Sequence, residues 1–180
     1  MTRPNGRPPR PAAAAALLAA AAIALAGCGY RLRGTVSSLP PRIKTLSVPV
    51  FKNQTTRFEL DVKLTRAVIN EIVARGKVAL GADPESADAI LEGEITNFTV
   101  NPIGFTGAGE ADRYNITVTA NVTLKERTAA QPLFSNPTFI YQQEYEVPPG
   151  SSFEAVQTEA IDKIAEKFAR SLVVAILEGF

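Results

Sequence analysis

The chain has 180 residues, room for one domain of ordinary size, and its 19 Lys and Arg against 18 Asp and Glu leave a formal charge of +1. That balance argues against nucleic-acid binding, which shows a strong basic excess. Histidine is absent and there is one cysteine, so an internal disulfide is excluded and the commonest acid–base and zinc-ligating side chains are missing or nearly so.

Residues 2–10 hold Arg3, Arg7, Arg10 and three prolines, with no acid, and Ala12 to Ala26 follows as an unbroken apolar run. This is the plan of a secretory signal, basic first and apolar second. The run is shorter than the roughly 20 apolar residues of a membrane span. It ends in Leu25-Ala26-Gly27-Cys28, which resembles the lipobox of bacterial lipoproteins. That resemblance implies that Cys28 carries a thioether-linked diacylglyceryl group and an N-acyl chain. It also implies that residues 1–27 are a removed signal peptide. Losing the three early arginines leaves 16 basic against 18 acidic residues, a mature charge of about −2. Each buried CH₂ adds about 0.8 kcal/mol, so two or three acyl chains hold a protein firmly to a bilayer. Gly29 stands where inner-membrane lipoproteins of enteric bacteria often carry an aspartate, so the resemblance favours the outer membrane.

Residues 28–42 read as an extended, lipid-anchored lead in which Pro40-Pro41 forbids a helix. Arg31, Arg33 and Arg42 lie near the anchor, either as contacts to anionic head groups or as solvated tether charges. A single domain is expected over 43–180. Ile43 to Val50 alternates as a strand, with Pro49 marking an edge or an end. Phe51 to Thr56 reads as a loop whose Thr55 or Thr56 caps the next helix. That helix is predicted over Phe58 to Arg75 from the spacing of Leu60, Leu64, Val68 and Ile72, with Gly76 as its C′ residue.

Val78 to Leu80 is a short strand candidate. Ala89, Leu91, Gly93 and Ile95 alternate, and Phe98 and Val100 resume one residue out of phase, which predicts a bulge near Thr96-Asn97. Asn101 to Gly109, with Pro102 and three glycines, reads as a hairpin loop. In Asp112 to Arg127, Tyr114, Ile116, Val118, Ala120, Val122 and Leu124 alternate with Asn115, Thr117, Thr119, Asn121 and Thr123. The second set is neutral, and charge returns only at Lys125. It reads either as an ordinary wet sheet face or as a surface that meets another protein's polar interior. A further strand lies within Leu133 to Val147. Ser151 and Glu154 resemble a capping box, opening a long helix that runs to about Glu178. The carboxylates Glu110, Asp112, Glu144 and Glu146 are the only loosely grouped acids an enzyme reading offers, and their spacing shows no paired arrangement.

The order strand, helix, several strands, helix predicts an α+β two-layer sandwich: a mostly antiparallel sheet of four or five strands with two helices on one face. Three stretches then resemble the LPS-assembly lipoprotein family LptE, also called RlpB. They are Gly27-Cys28-Gly29-Tyr30-Arg31-Leu32-Arg33, the strand Tyr114 to Leu124 with its Ala-Asp-x-Tyr-like lead-in, and the closing helix around Ala165-Glu166-Lys167-Phe168. The resemblance implies a non-enzymatic outer-membrane lipoprotein without cofactors. Its partners would be the β-barrel LptD, which it plugs and helps assemble, and lipopolysaccharide, which it helps reach the outer leaflet. Barrel interiors are polar, which gives the neutral face Asn115, Thr117, Thr119, Asn121 and Thr123 a barrel-facing role. Arg113, Lys125 and Arg127 are the candidate contacts to anionic lipopolysaccharide. A lipid-anchored periplasmic binding or accessory module of another envelope transport complex is the alternative.

Overall fold

A computed structural model describes residues 39–178. Cys28, the signal segment and most of the extended lead lie outside the described residues. The elements are β1 (Thr45–Ser47), β2 (Lys52–Asn53), α1 (Leu60–Arg75), β3 (Ala79–Leu80), β4 (Ala89–Phe105), β5 (Ala111–Glu126), β6 (Phe134–Glu146) and α2 (Phe153–Glu178). They form the expected α+β sandwich, with one sheet in the order β3-β1-β4-β5-β6 and β2 added beside β4. The six strands among the described residues exceed the four or five expected because two-residue β2 forms inside the stretch read as a loop. The long pairs β4–β5 and β5–β6 are antiparallel, whereas β1, β2 and β3 join by short parallel pairings. α1 is the crossover that makes β1 and β3 parallel.

Alternation in β5 decides the layers. Ile116, Val118, Ala120, Val122 and Leu124 are fully buried under the helices. α1 adds Leu60, Leu64, Val68 and Ile72, and α2 adds Ala160, Ile164, Phe168 and Leu172. The apolar end of α2 is likewise buried at Val173, Ile176 and Leu177. The Phe168 ring stands near-perpendicular to Phe139 and Tyr141, with ring centres 5.5 and 6.4 Å away, and the Phe153 ring centre lies 4.6 Å from that of Tyr114. The two helices are tied by the Lys63–Asp162 ion pair, and the segment leading into α1 is tied to α2 by Arg57 Nη2 donating to Gln157 Oε1 at 2.7 Å.

The register shift between Ile95 and Asn97 places the expected bulge at Thr96. Gly76 closes α1 in the left-handed region at φ 59°. Three local readings are corrected. Residues 101–105 continue β4 instead of forming a loop. Among the described residues the strand beyond Ile95 has β5 on one side only, so Pro102 disrupts no second ladder there. The cap of α1 falls at Glu59, itself left-handed at φ 59°, because Thr55 is engaged by Asn53 and by the Arg57 N–H. At α2 it is Ser152, not Ser151, whose hydroxyl accepts from Ala155 N–H, at 3.4 Å. That shifts Glu154 out of the capping-box position.

Candidate functional site: the open face of the sheet

Both helices cover one side of the sheet, which leaves the other side open. The file Arg113, Asn115, Thr117, Thr119, Asn121, Thr123 and Lys125 points to that side by the alternation of β5. Its five central members are half-buried, since a central strand is flanked on both sides. Register extends the polar chemistry sideways. On β4, Asn101, Thr99 and Asn97 lie opposite Asn115, Thr117 and Thr119, whereas Glu94 and Glu92 lie opposite Asn121 and Thr123. On β6, Glu144, Gln142 and Ile140 occupy the matching positions. The outcome is a surface three strands wide whose centre is built of amides, hydroxyls and one exposed isoleucine. Such groups both donate and accept hydrogen bonds. They can be covered by a polar partner without the cost of desolvating ions.

Charge sits at the two ends of this face. Lys125 Nζ pairs with Glu92 Oε2 at 2.6 Å. Near them a depression of about 250 Å³ is lined by Val50, Lys52, Glu94, Asn121 and Thr123, among others. At the opposite end Arg113 has Glu146 as its register partner, and its guanidinium lies against Gly104, where a Cβ would approach Nε to 2.5 Å.

Arg113 and Lys125 therefore share a face but lie about 40 Å apart at the strand rise of 3.3–3.4 Å per residue. Arg127 lies beyond the strand end, where its N–H donates to the Asp88 carbonyl at 3.0 Å. The structure does not gather these three cations into one patch. Nor do the four acids converge. Asp112 points to the helix side, with a buried Oδ1 that lacks a hydrogen-bond partner among the described residues. Glu144 and Glu146 share the open face instead.

Two polar contacts that seal the core margin were invisible in the sequence. Arg42 Nε and Nη2 donate to the two Glu126 carboxylate oxygens, each at 2.7 Å, across 84 residues. Arg42 is thus tied to the domain and is not a free tether charge, one of the two readings the sequence left open. The Arg42 hydrogen bond holds the Glu126 carboxyl below its usual range, against the opposing effect of burial. Asp88 accepts from Lys44 N–H, Thr45 N–H and the Thr45 hydroxyl at 2.9–3.0 Å, and these bonds lower its pKa. Both contacts join residues distant in the chain and follow no local motif.

Residues 43–176, about three quarters of the chain, match the lipopolysaccharide-assembly family LptE. The chain belongs to the LptE family. Membership makes it a relative of non-enzymatic lipopolysaccharide-assembly lipoproteins of the cell envelope. No curated protein matches the sequence. A hypothetical protein from Chlamydia trachomatis shares the fold at a TM-score of 0.51 and 10% identity, over 76% of this chain and 96% of that one. A protein from Xanthomonas campestris aligns at 0.49 with 13% identity, over 76% and 88%. Lipoprotein B from Nitrosomonas europaea aligns at 0.46 with 13% identity, over 81% and 91%.

Proposed function

We propose that the mature chain, anchored through the acylated Cys28 at the periplasmic side of the outer membrane, plugs the LptD β-barrel. In this role it helps the barrel assemble and aids lipopolysaccharide transport to the outer leaflet. The observation that carries the reading is the open face itself: Asn115, Thr117, Thr119, Asn121 and Thr123, with neutral neighbours at its middle (Asn97, Thr99, Gln142 and Ile140) and Glu92, Glu94 and Glu144 towards its ends, within a chain of the LptE family. A barrel lumen is polar, and amides and hydroxyls complement it without burying unpaired charge. Arg113, Lys125 and Arg127 would meet lipopolysaccharide separately, at opposite ends of the sheet, and not as one cluster.

Depletion in the native host tests the role. Surface lipopolysaccharide should fall and misassembled barrel should accumulate; normal surface lipopolysaccharide with a mature barrel would refute it. Cys28→Ser should move the protein from the membrane to the soluble fraction, and its retention in the membrane would remove the anchor.

A further inference from the structure

β6 is the outer strand of the sheet and, among the described residues, pairs only with β5. An outer edge presents unpaired N–H and C=O groups on which another strand can form. Pro137 and the nearby register shift between Ala120 and Val122 spoil that template over Phe134 to Thr138. From Phe139 to Glu146 the strand has no proline, and it pairs with β5 in unbroken register from Phe139↔Ala120 to Glu146↔Arg113.

α2 overhangs this segment with a basic ridge. Lys163, Lys167 and Arg170 are exposed and spaced four and three residues apart, on one helical flank. Lys163 Nζ lies 5.9 Å from the centre of the Tyr145 ring, and Phe168, next to Lys167, packs against the rings of Phe139 and Tyr141. The ridge therefore stands over β6, whereas Gln157 and Asp162 of the same helix bond to Arg57 and Lys63 on the α1 side. Like charges at this spacing repel one another. Glu159 offsets Lys163 at 2.6 Å. Lys167 and Arg170 make no ion pair among the described residues, although Glu166 sits on the adjoining part of the helix surface. Tyr141 and Tyr145, half-buried on the helix side of β6, form an aromatic floor beneath the ridge.

We infer that an extended acidic segment of a partner polypeptide adds as a strand to β6 along Phe139 to Glu146, its helix-side carboxylates meeting Lys163, Lys167 and Arg170. Strand addition would supply affinity through main-chain hydrogen bonds, and the ridge would select the charge. On the open side the added residues would adjoin Glu144 and Glu146, so they must be neutral or basic. This surface is the edge of the sheet, distinct from the open face invoked above, and it does not depend on a barrel.

The test uses the mature chain with Cys28→Ser and a fluorescent peptide of about ten residues that alternates Glu and Thr. Binding is followed by anisotropy and its location by hydrogen exchange. The peptide should bind, protect the amides of Phe139 to Glu146 and weaken as salt rises. Replacing its Glu by Lys should weaken binding roughly tenfold or more. So should Lys163→Glu/Lys167→Glu/Arg170→Glu in the protein. A peptide N-methylated at every residue keeps its charge but cannot pair through either edge, and it should not bind; this control needs no altered protein. Absence of binding, equal binding of acidic and basic peptides, full binding of the N-methylated peptide or protection elsewhere would each overturn the inference. Concentration-dependent protection of Phe139 to Glu146 without peptide would show a second copy on the edge and would overturn the acidic occupant.

Discussion

The Phe51 ring lies over the backbone of Gly93, so closely that a Cβ on Gly93 would stand 2.7 Å from three of its carbons. Gly93 occupies a core-facing position of β4, between buried Leu91 and Ile95, and the space that its missing side chain leaves is filled from outside the strand. Phe51 is itself fully buried, and its N–H donates to the Thr65 hydroxyl of α1 at 2.9 Å. One residue thus binds β2, β4 and α1 together. Gly93→Ala should destabilise the fold by about 1–3 kcal/mol through overpacking, read from urea unfolding. In a Phe51→Leu background the same change should cost less, with a coupling of about 0.5 kcal/mol or more. Additive penalties would show that the ring does not rely on the glycine.

Phe168 holds the second layer in the same way. It is fully buried in α2 and stands T-shaped to Phe139 and Tyr141 of β6. Phe168→Ala should cost about 3–5 kcal/mol, and Phe168→Leu clearly less. Thermal unfolding followed by far-ultraviolet dichroism measures both, and a midpoint unchanged in Phe168→Ala would contradict the packing.

Acid should loosen the core margin. Hydrogen bonds hold the carboxyls of Glu126 and Asp88 below their ordinary values of 4.5 and 3.8. The unfolded chain then binds protons before the folded one does as pH falls. The stabilisation is complete above those ordinary values and is lost below them, as pH drops through the lower folded values. A stability–pH profile should fall in that window, and Glu126→Gln or Asp88→Asn should each flatten the fall while lowering stability at neutral pH. A profile of unchanged steepness in both variants would place the acid-labile contacts elsewhere.

The open face separates folding from partnership. Thr117 and Thr119 pack against no helix, so Thr117→Lys/Thr119→Lys should change the stability of the isolated protein by no more than about 0.5 kcal/mol per site. In the native host the same variant should lower the yield of matured barrel. Normal yield with the variant in place would show that the barrel uses another surface.

The long-period features of the fold were legible in the sequence. Leu60, Leu64, Val68 and Ile72 outlined α1, and the alternation from Tyr114 to Leu124 outlined β5. The phase slip between Ile95 and Phe98 located the bulge. These signals are local, and the core enforces them. What escaped reading depends on partners far along the chain. β4 runs through Pro102 and Gly104 because its neighbour on one side stops at Ile95. β2 exists because Phe51 docks on Gly93, and Arg42 is committed because Glu126 lies at the end of a strand 84 residues away. The neutral face was legible as composition along one strand, but its width came only with the register of β4 and β6. The basic ridge over β6 was unreadable until the side of α2 facing away from α1 was known.

The most direct measurement of the central claim is the composition of the protein's complex in native outer membranes. Extracted in mild detergent through a C-terminal tag, the lipidated protein should be recovered with a large β-barrel at equal stoichiometry. A photo-crosslinker placed at Thr119 should join the two. Recovery as a free monomer from cells with intact lipopolysaccharide export would contradict the account.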